Sequence, residues 1–239
     1  MRLITNRLGI VFTLKQIDIC AHAVEYLING CISCRIIMPC INKCMDNKEK
    51  RKALQAAYIQ MIEPYSKHLQ FAVTLTLKMS ATIKVKRLTN YGDDFYSFHQ
   101  CLTEQILDGT IKRFTERLTW SLYGNHSKHK NKQDWALPLV ITCIEGRKRG
   151  KRTHLHLAIG NVPVAKCVNF NMFVAEAWAK CDFGAKSVCI KPITNANGWL
   201  TYITKEAGYA DSDALDIVGS TIPPFIQHSI CTVRRLLTA

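Results

Sequence analysis

Apolar and polar positions change period several times along the chain, and each change marks an element. Residues 71–79 alternate β-branched and apolar side chains, the period-2 pattern of a strand. Between 95 and 122, Phe98, Leu102, Ile106, Ile111, Phe114 and Leu118 recur at intervals of three to five, which predicts one long helix with an apolar stripe. Residues 139–144 and 154–159 predict two short strands joined by a hairpin over the basic stretch 146–152. A helix is expected over 164–181, with Phe170, Phe173, Val174, Ala177 and Trp178 facing the core. A further strand follows at 187–193, a turn at 195–198 and a third helix at 199–207. Strands and helices in this order, with a hairpin in the middle, predict an α+β fold: a central antiparallel sheet flanked by helices, ferredoxin-like or related.

Texture divides the chain into three zones. Residues 1–44 form an apolar, Cys-rich extension holding Cys20, Cys31, Cys34, Cys40 and Cys44. The spacing of the last four would suit a small zinc site, or the segment carries reduced thiols. A charged run after Met45 opens the zone 45–210, which carries the recognisable chemistry and is expected to fold and act without what precedes it. Residues 211–239 read as a C-terminal tail with Pro223-Pro224 and a basic end at Arg234-Arg235.

Charge narrows the class of partner. Lys and Arg number 32 against 18 acidic residues, a formal charge of +14 and a pI near 9.4 in 239 residues. Such a surplus points to a polyanion, nucleic acid first and an anionic membrane second. No apolar run approaches the ~20 residues of a spanning helix, and no cleavage site follows the short apolar stretch near Met1, so no membrane partner is expected. With 11 cysteines, an odd number, and no export signal, the thiols are expected reduced and the protein cytoplasmic.

His154-Leu155-His156 sits inside an apolar strand, so both imidazoles project from one face while Leu155 packs inward. Two imidazoles on one face can bind a divalent cation, or they are simply a polar pair on a half-exposed strand. In the third predicted helix, Tyr202 and Lys205 share a face at i and i+3. A phenol titrates near ~10 and attacks phosphorus poorly unless a cation helps it ionise, which Lys205 is placed to do. The plainer reading is an amphipathic helix with a snorkelling lysine. Glu145 ends the strand before the histidines and would join them, or pair with Arg147, Arg149 or Arg152.

Taken together, Phe71-Ala-Val-Thr-Leu-Thr-Leu77, His154-Leu-His-Leu-Ala-Ile159 and Trp199-Leu-Thr-Tyr-Ile-Thr-Lys205 resemble, in order and context, the three motifs of HUH endonucleases. The nearest kinds are the rolling-circle replication initiators of plasmids and filamentous phages, and the resemblance spans about 70–207. It implies that His154 and His156, with Glu145 as third ligand, hold Mg2+ or Mn2+. It makes Tyr202 the nucleophile that stays joined to a 5′ phosphate, and Lys205 a group that orients or stabilises the site. A single tyrosine fits the motif, because Tyr209 lies about two helical turns on. The implied substrate is single-stranded origin DNA, nicked and rejoined. Transposases and relaxases share this chemistry, and a non-catalytic basic DNA-binding regulator is the alternative from another class.

Two basic stretches suit the DNA backbone: Lys128, Lys130 and Lys132 in one loop, and Arg147, Lys148, Arg149, Lys151 and Arg152 in the hairpin. Trp120, Tyr123 and Trp135 nearby offer rings for stacking, though Trp120 would equally complete a helix core. The hairpin's glycines are too closely spaced for a nucleotide-binding P-loop, and Arg152 follows the lysine where that motif needs Ser or Thr. No ATPase is therefore expected, and a host helicase and polymerase would act alongside.

Overall fold

A computed structural model describes residues 3–5, 11–13, 48–89, 92–128, 135–148, 150–209 and 211–227. Strands β1 (Leu3–Thr5) and β2 (Val11–Thr13) pair antiparallel; the rest of 1–44, with its cysteines, lies outside the described residues. Helix α1 spans Lys48–Ile62. Strands β3 (Leu69–Leu77), β4 (Ser80–Thr89) and β5 (Gly92–Cys101) lead to helix α2 (Glu104–Tyr123). After β6 (Leu139–Glu145) and β7 (His154–Gly160) come α3 (Val164–Cys167), α4 (Phe170–Ala179), β8 (Gly184–Pro192), α5 (Ala196–Ile203) and β9 (Leu215–Thr221).

The fold is α+β. Five strands form an antiparallel sheet in the order β8-β3-β7-β6-β9. Strand alternation sends Val73, Leu75 and Leu77 of β3, and Leu155, Leu157 and Ile159 of β7, to one face. There they meet Ile111, Phe114 and Leu118 of α2 and Phe170, Val174 and Trp178 of α4. Fully burying each such side chain contributes about 1.5–3 kcal/mol. On the opposite face, Leu139, Ile141 and Cys143 of β6 and Ala158 of β7 pack against Leu54, Tyr58 and Ile62 of α1 and Leu200 and Ile203 of α5. The second face is covered only in part, and the histidines project from it. Among the described residues no helix is long and apolar enough to cross a membrane.

Four expectations change; the helix expected over 199–207 after a turn at 195–198 instead runs Ala196–Ile203, with Lys205–Gly208 in a 3-10 turn. The single helix over 95–122 divides into β5 and α2, with Thr103 as N-cap accepting from the Ile106 amide. Phe98, Leu102 and Ile106 are spaced by four, an interval that satisfies a strand's period of two as well as a helical turn. The helix over 164–181 is also two pieces, α3 and α4, with Val168 and Asn169 between them and Phe173 only partly buried. Beyond 210 the chain is not simply a tail, since β9 is the edge strand on β6. Among the described cysteines, Cys143 and Cys181 are buried, and burial pushes both thiols up; Cys167 is half-buried, and Cys101 and Cys189 are exposed.

Candidate active site

Register builds the site. Glu145 at the end of β6 stands opposite His154 on β7, and His156 two residues on stands between Cys143 of β6 and Thr74 of β3. These residues share the face that α5 covers. The ligand atoms of Glu145, His154 and His156 all lie within 4.8 Å of one another. Glu145 Oε2 is 2.6 Å from His156 Nε2 and 3.5 Å from His154 Nε2. Gly146, just after Glu145, turns the chain at φ +91°, and a side chain there would press on the Arg152 carbonyl at 2.7 Å. A glycine thus brings the hairpin back on itself so that Glu145 and His154 face each other.

Both imidazoles are held by their other nitrogens. His154 Nδ1 is 2.9 Å from the Arg152 carbonyl, which can only accept, so Nδ1 carries a proton and turns Nε2 toward the Glu145 carboxylate. His156 Nδ1 is 3.0 Å from Thr74 Oγ1. Burial pushes the His156 imidazole down to about 4, against the pull of Glu145, so it is neutral near pH 7. Burial also opposes ionisation of Glu145, but Lys205 and His156 outweigh it and hold the carboxyl below its usual range. A carboxylate and two imidazoles that point Nε2 at it are a donor set that can hold a divalent metal ion, once the proton that His156 Nε2 shares with Glu145 has left.

Helix α5 delivers the phenol. The Asn195 side chain accepts from the Gly198 amide and caps the helix, and Leu200 and Ile203 pin it to the sheet. Trp199 and Tyr202 then lie side by side, stacked at 5.3 Å, and Trp199 donates from its indole to the Leu157 carbonyl at 3.3 Å. The Tyr202 ring centre is 5.2 Å from that of His156, yet the residue remains 45% exposed. Lys205 follows the helix in a 3-10 turn, Lys205–Gly208. Its Nζ lies 2.7 Å from Glu145 Oε2 and 3.9 Å above the Tyr202 ring centre. Burial disfavours the Lys205 ammonium, but its hydrogen bonds to Glu145 and to the Tyr202 phenol outweigh this and raise its pKa.

Of the sequence candidates, Glu145, His154, His156, Tyr202 and Lys205 thus come together, and Glu145 contacts the histidines and Lys205. Arg147 instead forks onto Asp211 at 3.0 and 3.1 Å, and Lys148 reaches the same carboxylate at 2.9 Å. Arg152 donates to the Leu77 carbonyl, and Lys151 is exposed beside it. Lys128 lies 4.5 Å above the exposed Trp120 ring, whereas Lys130, Lys132 and Arg149 lie outside the described residues. Trp135 is exposed, but Tyr123 is buried, donating to the Leu137 and Asn161 carbonyls, and offers no free ring. Sequence reasoning assigned no role to Thr74 or Trp199. The i, i+3 spacing of Trp199 and Tyr202 was the signal for one; the other needs the strand register.

No family model, no curated protein and no solved structure matches this chain.

Proposed function

We propose that the chain nicks and rejoins single-stranded DNA as a single-tyrosine enzyme of the HUH endonuclease type, and that it serves as a rolling-circle replication initiator. One observation carries the reading: an exposed phenol, Tyr202, stands beside the Glu145/His154/His156 cluster, with Lys205 touching both the phenol and Glu145. A metal cluster alone suits many functions, but a tyrosine and a lysine held at its rim suit attack on a phosphodiester.

In the cleavage step the Tyr202 oxygen attacks the scissile phosphorus. The bond from tyrosine oxygen to phosphorus forms as the bond from phosphorus to the 3′ oxygen breaks. The phenol loses its proton and the departing 3′ oxygen gains one. The 5′ phosphate stays on Tyr202, and attack by a 3′-hydroxyl reverses the step, so the strand is rejoined without ATP. The Lys205 ammonium, 3.9 Å from the Tyr202 ring centre, offers positive charge beside the attacking oxygen as the phenol loses its proton. Stacking on Trp199 fixes the direction of the ring. Glu145, His154 and His156 would hold Mg2+ or Mn2+, which when bound supplies positive charge against the phosphate oxygens. The free 3′-hydroxyl would prime a host polymerase, with a host helicase opening the duplex.

The net charge of +14 supports a polyanionic substrate. Incubation with a labelled pool of single-stranded oligonucleotides and Mn2+ tests the proposal. A covalent adduct that survives denaturation and maps to Tyr202 is expected. Salt-sensitive binding with no adduct would instead mark a non-catalytic DNA-binding protein.

A further inference from the structure

Thr74 of β3 stands opposite His156 of β7 in register, with Cys189 of β8 as its neighbour on the other side. Its hydroxyl oxygen lies 3.0 Å from His156 Nδ1, and His156 Nε2 lies 2.6 Å from Glu145 Oε2. The ring is thus held at both nitrogens, and at 4% exposure it has almost no contact with water. His154 is held differently, because its Nδ1 faces the main-chain carbonyl of Arg152 at 2.9 Å. One imidazole rests on a carbonyl and the other on a hydroxyl. A β-branched residue suits a strand with or without that hydroxyl, as Val73 beside it shows, so its place against His156 needs a reason of its own.

The two kinds of partner differ in what they allow. A carbonyl only accepts, so it keeps a proton on His154 Nδ1. A hydroxyl both donates and accepts. The Glu145 carboxylate only accepts, so His156 Nε2 carries the proton between them, and the bare Nδ1 of a neutral ring accepts from Thr74. A cation can take the Nε2 lone pair only after that proton has left, and the single proton of the neutral ring then sits on Nδ1. Thr74 Oγ1 meets this second arrangement by turning its own hydrogen away and accepting. One proton leaves Nε2 for solvent and one arrives at Nδ1 from solvent, so the ring's charge is the same before and after. A carbonyl at this position would suit only the second arrangement, and valine would suit neither.

We propose that Thr74 is a positioning residue for the Glu145/His154/His156 cluster, its hydroxyl holding the His156 ring in either tautomer. Nε2 can then pass from Glu145 to a divalent cation while the buried ring keeps its orientation. Hydrogen-bond partners of this kind fix the tautomer and direction of metal-bound histidines. The inference rests on the cluster holding a cation and not on the nicking of DNA.

The test uses the full chain and two ions. Electron paramagnetic resonance reads the affinity for Mn2+. Long-range proton–nitrogen NMR spectra read the His156 tautomer with a chelator and then with diamagnetic Zn2+, the signal being identified by its loss in His156→Gln. Thr74→Val keeps the side chain's shape and should weaken Mn2+ binding by about 10–100-fold, the cost of losing such a partner. Thr74→Ser keeps the hydroxyl but not the methyl group, and it should recover most of that loss, which a role in packing alone would not give. In the wild-type protein Nε2 should carry the proton in chelator, and Zn2+ should move it to Nδ1. Valine binding as tightly as wild type, serine binding as weakly as valine, or a ring protonated on Nδ1 alone before metal is added would overturn the inference. Should Thr74→Val lower the melting temperature, Thr74→Ser and the wild-type spectra decide. A wild-type protein that binds neither ion would overturn the inference together with the cluster as a metal site. A protein that meets these expectations yet forms no adduct in Mn2+ would refute the nicking function and leave the role of Thr74 standing.

Discussion

Lys205 Nζ sits 2.7 Å from Glu145 Oε2, the same oxygen that faces His156 Nε2 at 2.6 Å. One carboxylate oxygen thus serves both a lysine and the metal-ligand cluster. A cation bound to the cluster would compete with the ammonium for it.

Lys205→Met should accordingly tighten Mn2+ binding while slowing adduct formation. A partly exposed ion pair contributes up to about 1 kcal/mol, which corresponds to roughly fivefold in affinity. Titration of Mn2+ by electron paramagnetic resonance reads the first effect, and a single-turnover adduct assay the second. Weaker metal binding in the variant would show that the lysine supports the cation rather than competing with it.

Tyr202→Phe removes one oxygen from a half-exposed side chain whose ring keeps its stack on Trp199. Stability should change by less than about 0.5 kcal/mol, the range of surface substitutions. Adduct formation should vanish. Mass spectrometry of the wild-type adduct should place the nucleotide on Tyr202; a nucleotide on Tyr209 would refute the assignment.

Metal occupancy should appear as stability even before any substrate is found. At a free concentration of 100 times Kd, Mn2+ should add about 2.7 kcal/mol to unfolding in the wild-type protein. His154→Ala and Glu145→Gln should each remove most of that gain, read as a lost shift in melting temperature on adding the metal. A shift that survives in both would place the cation elsewhere.

Strands β3, β6 and β7 were legible because their inward positions alternate without interruption, Val73-Leu75-Leu77 and Leu155-Leu157-Ile159 being the clearest. Strand β9 was not, since Asp216 and Gly219 interrupt a short edge strand that buries only one end fully. The start of α2 was ambiguous because Phe98, Leu102 and Ile106 obey two periods at once. Within the site, His154 and His156 followed from strand geometry and Tyr202 from helix geometry, whereas Lys205, expected on the same helix, reaches the site from the 3-10 turn after it. Glu145 had two open partners in sequence, arginines or histidines. Only the hairpin's closure at Gly146 sets it among the histidines, and only strand pairing brings Thr74 to His156. Asp211, distant in sequence, draws off Arg147 and Lys148, and no local pattern announces that.

The Asp211 pair carries a prediction about pH. Asp211 is 2% exposed and sits in the chain between α5 and β9, while Arg147 and Lys148 belong to the loop that starts at Glu145. Burial opposes ionisation of Asp211, but the two cations outweigh it and hold its carboxyl below the usual range. A carboxyl lowered on folding stabilises the protein above its unfolded pKa, and that contribution is lost as acid protonates it in the folded state. Only Asp211 is buried; Arg147 and Lys148 keep access to water, so losing the pair costs about 1–3 kcal/mol, the range for hydrogen bonds to charged groups. Asp211→Asn should therefore destabilise the protein by about that much at pH 7. The difference from wild type should shrink as pH falls below the ordinary carboxyl value of about 4. Glu145 is lowered in the same sense, so the wild-type curve alone does not isolate Asp211; the difference between the two proteins' urea midpoints across pH does. A difference that stays constant down to strong acid would mean that Asp211 acts through shape, by its bond from the Asp213 amide, and not through its charge.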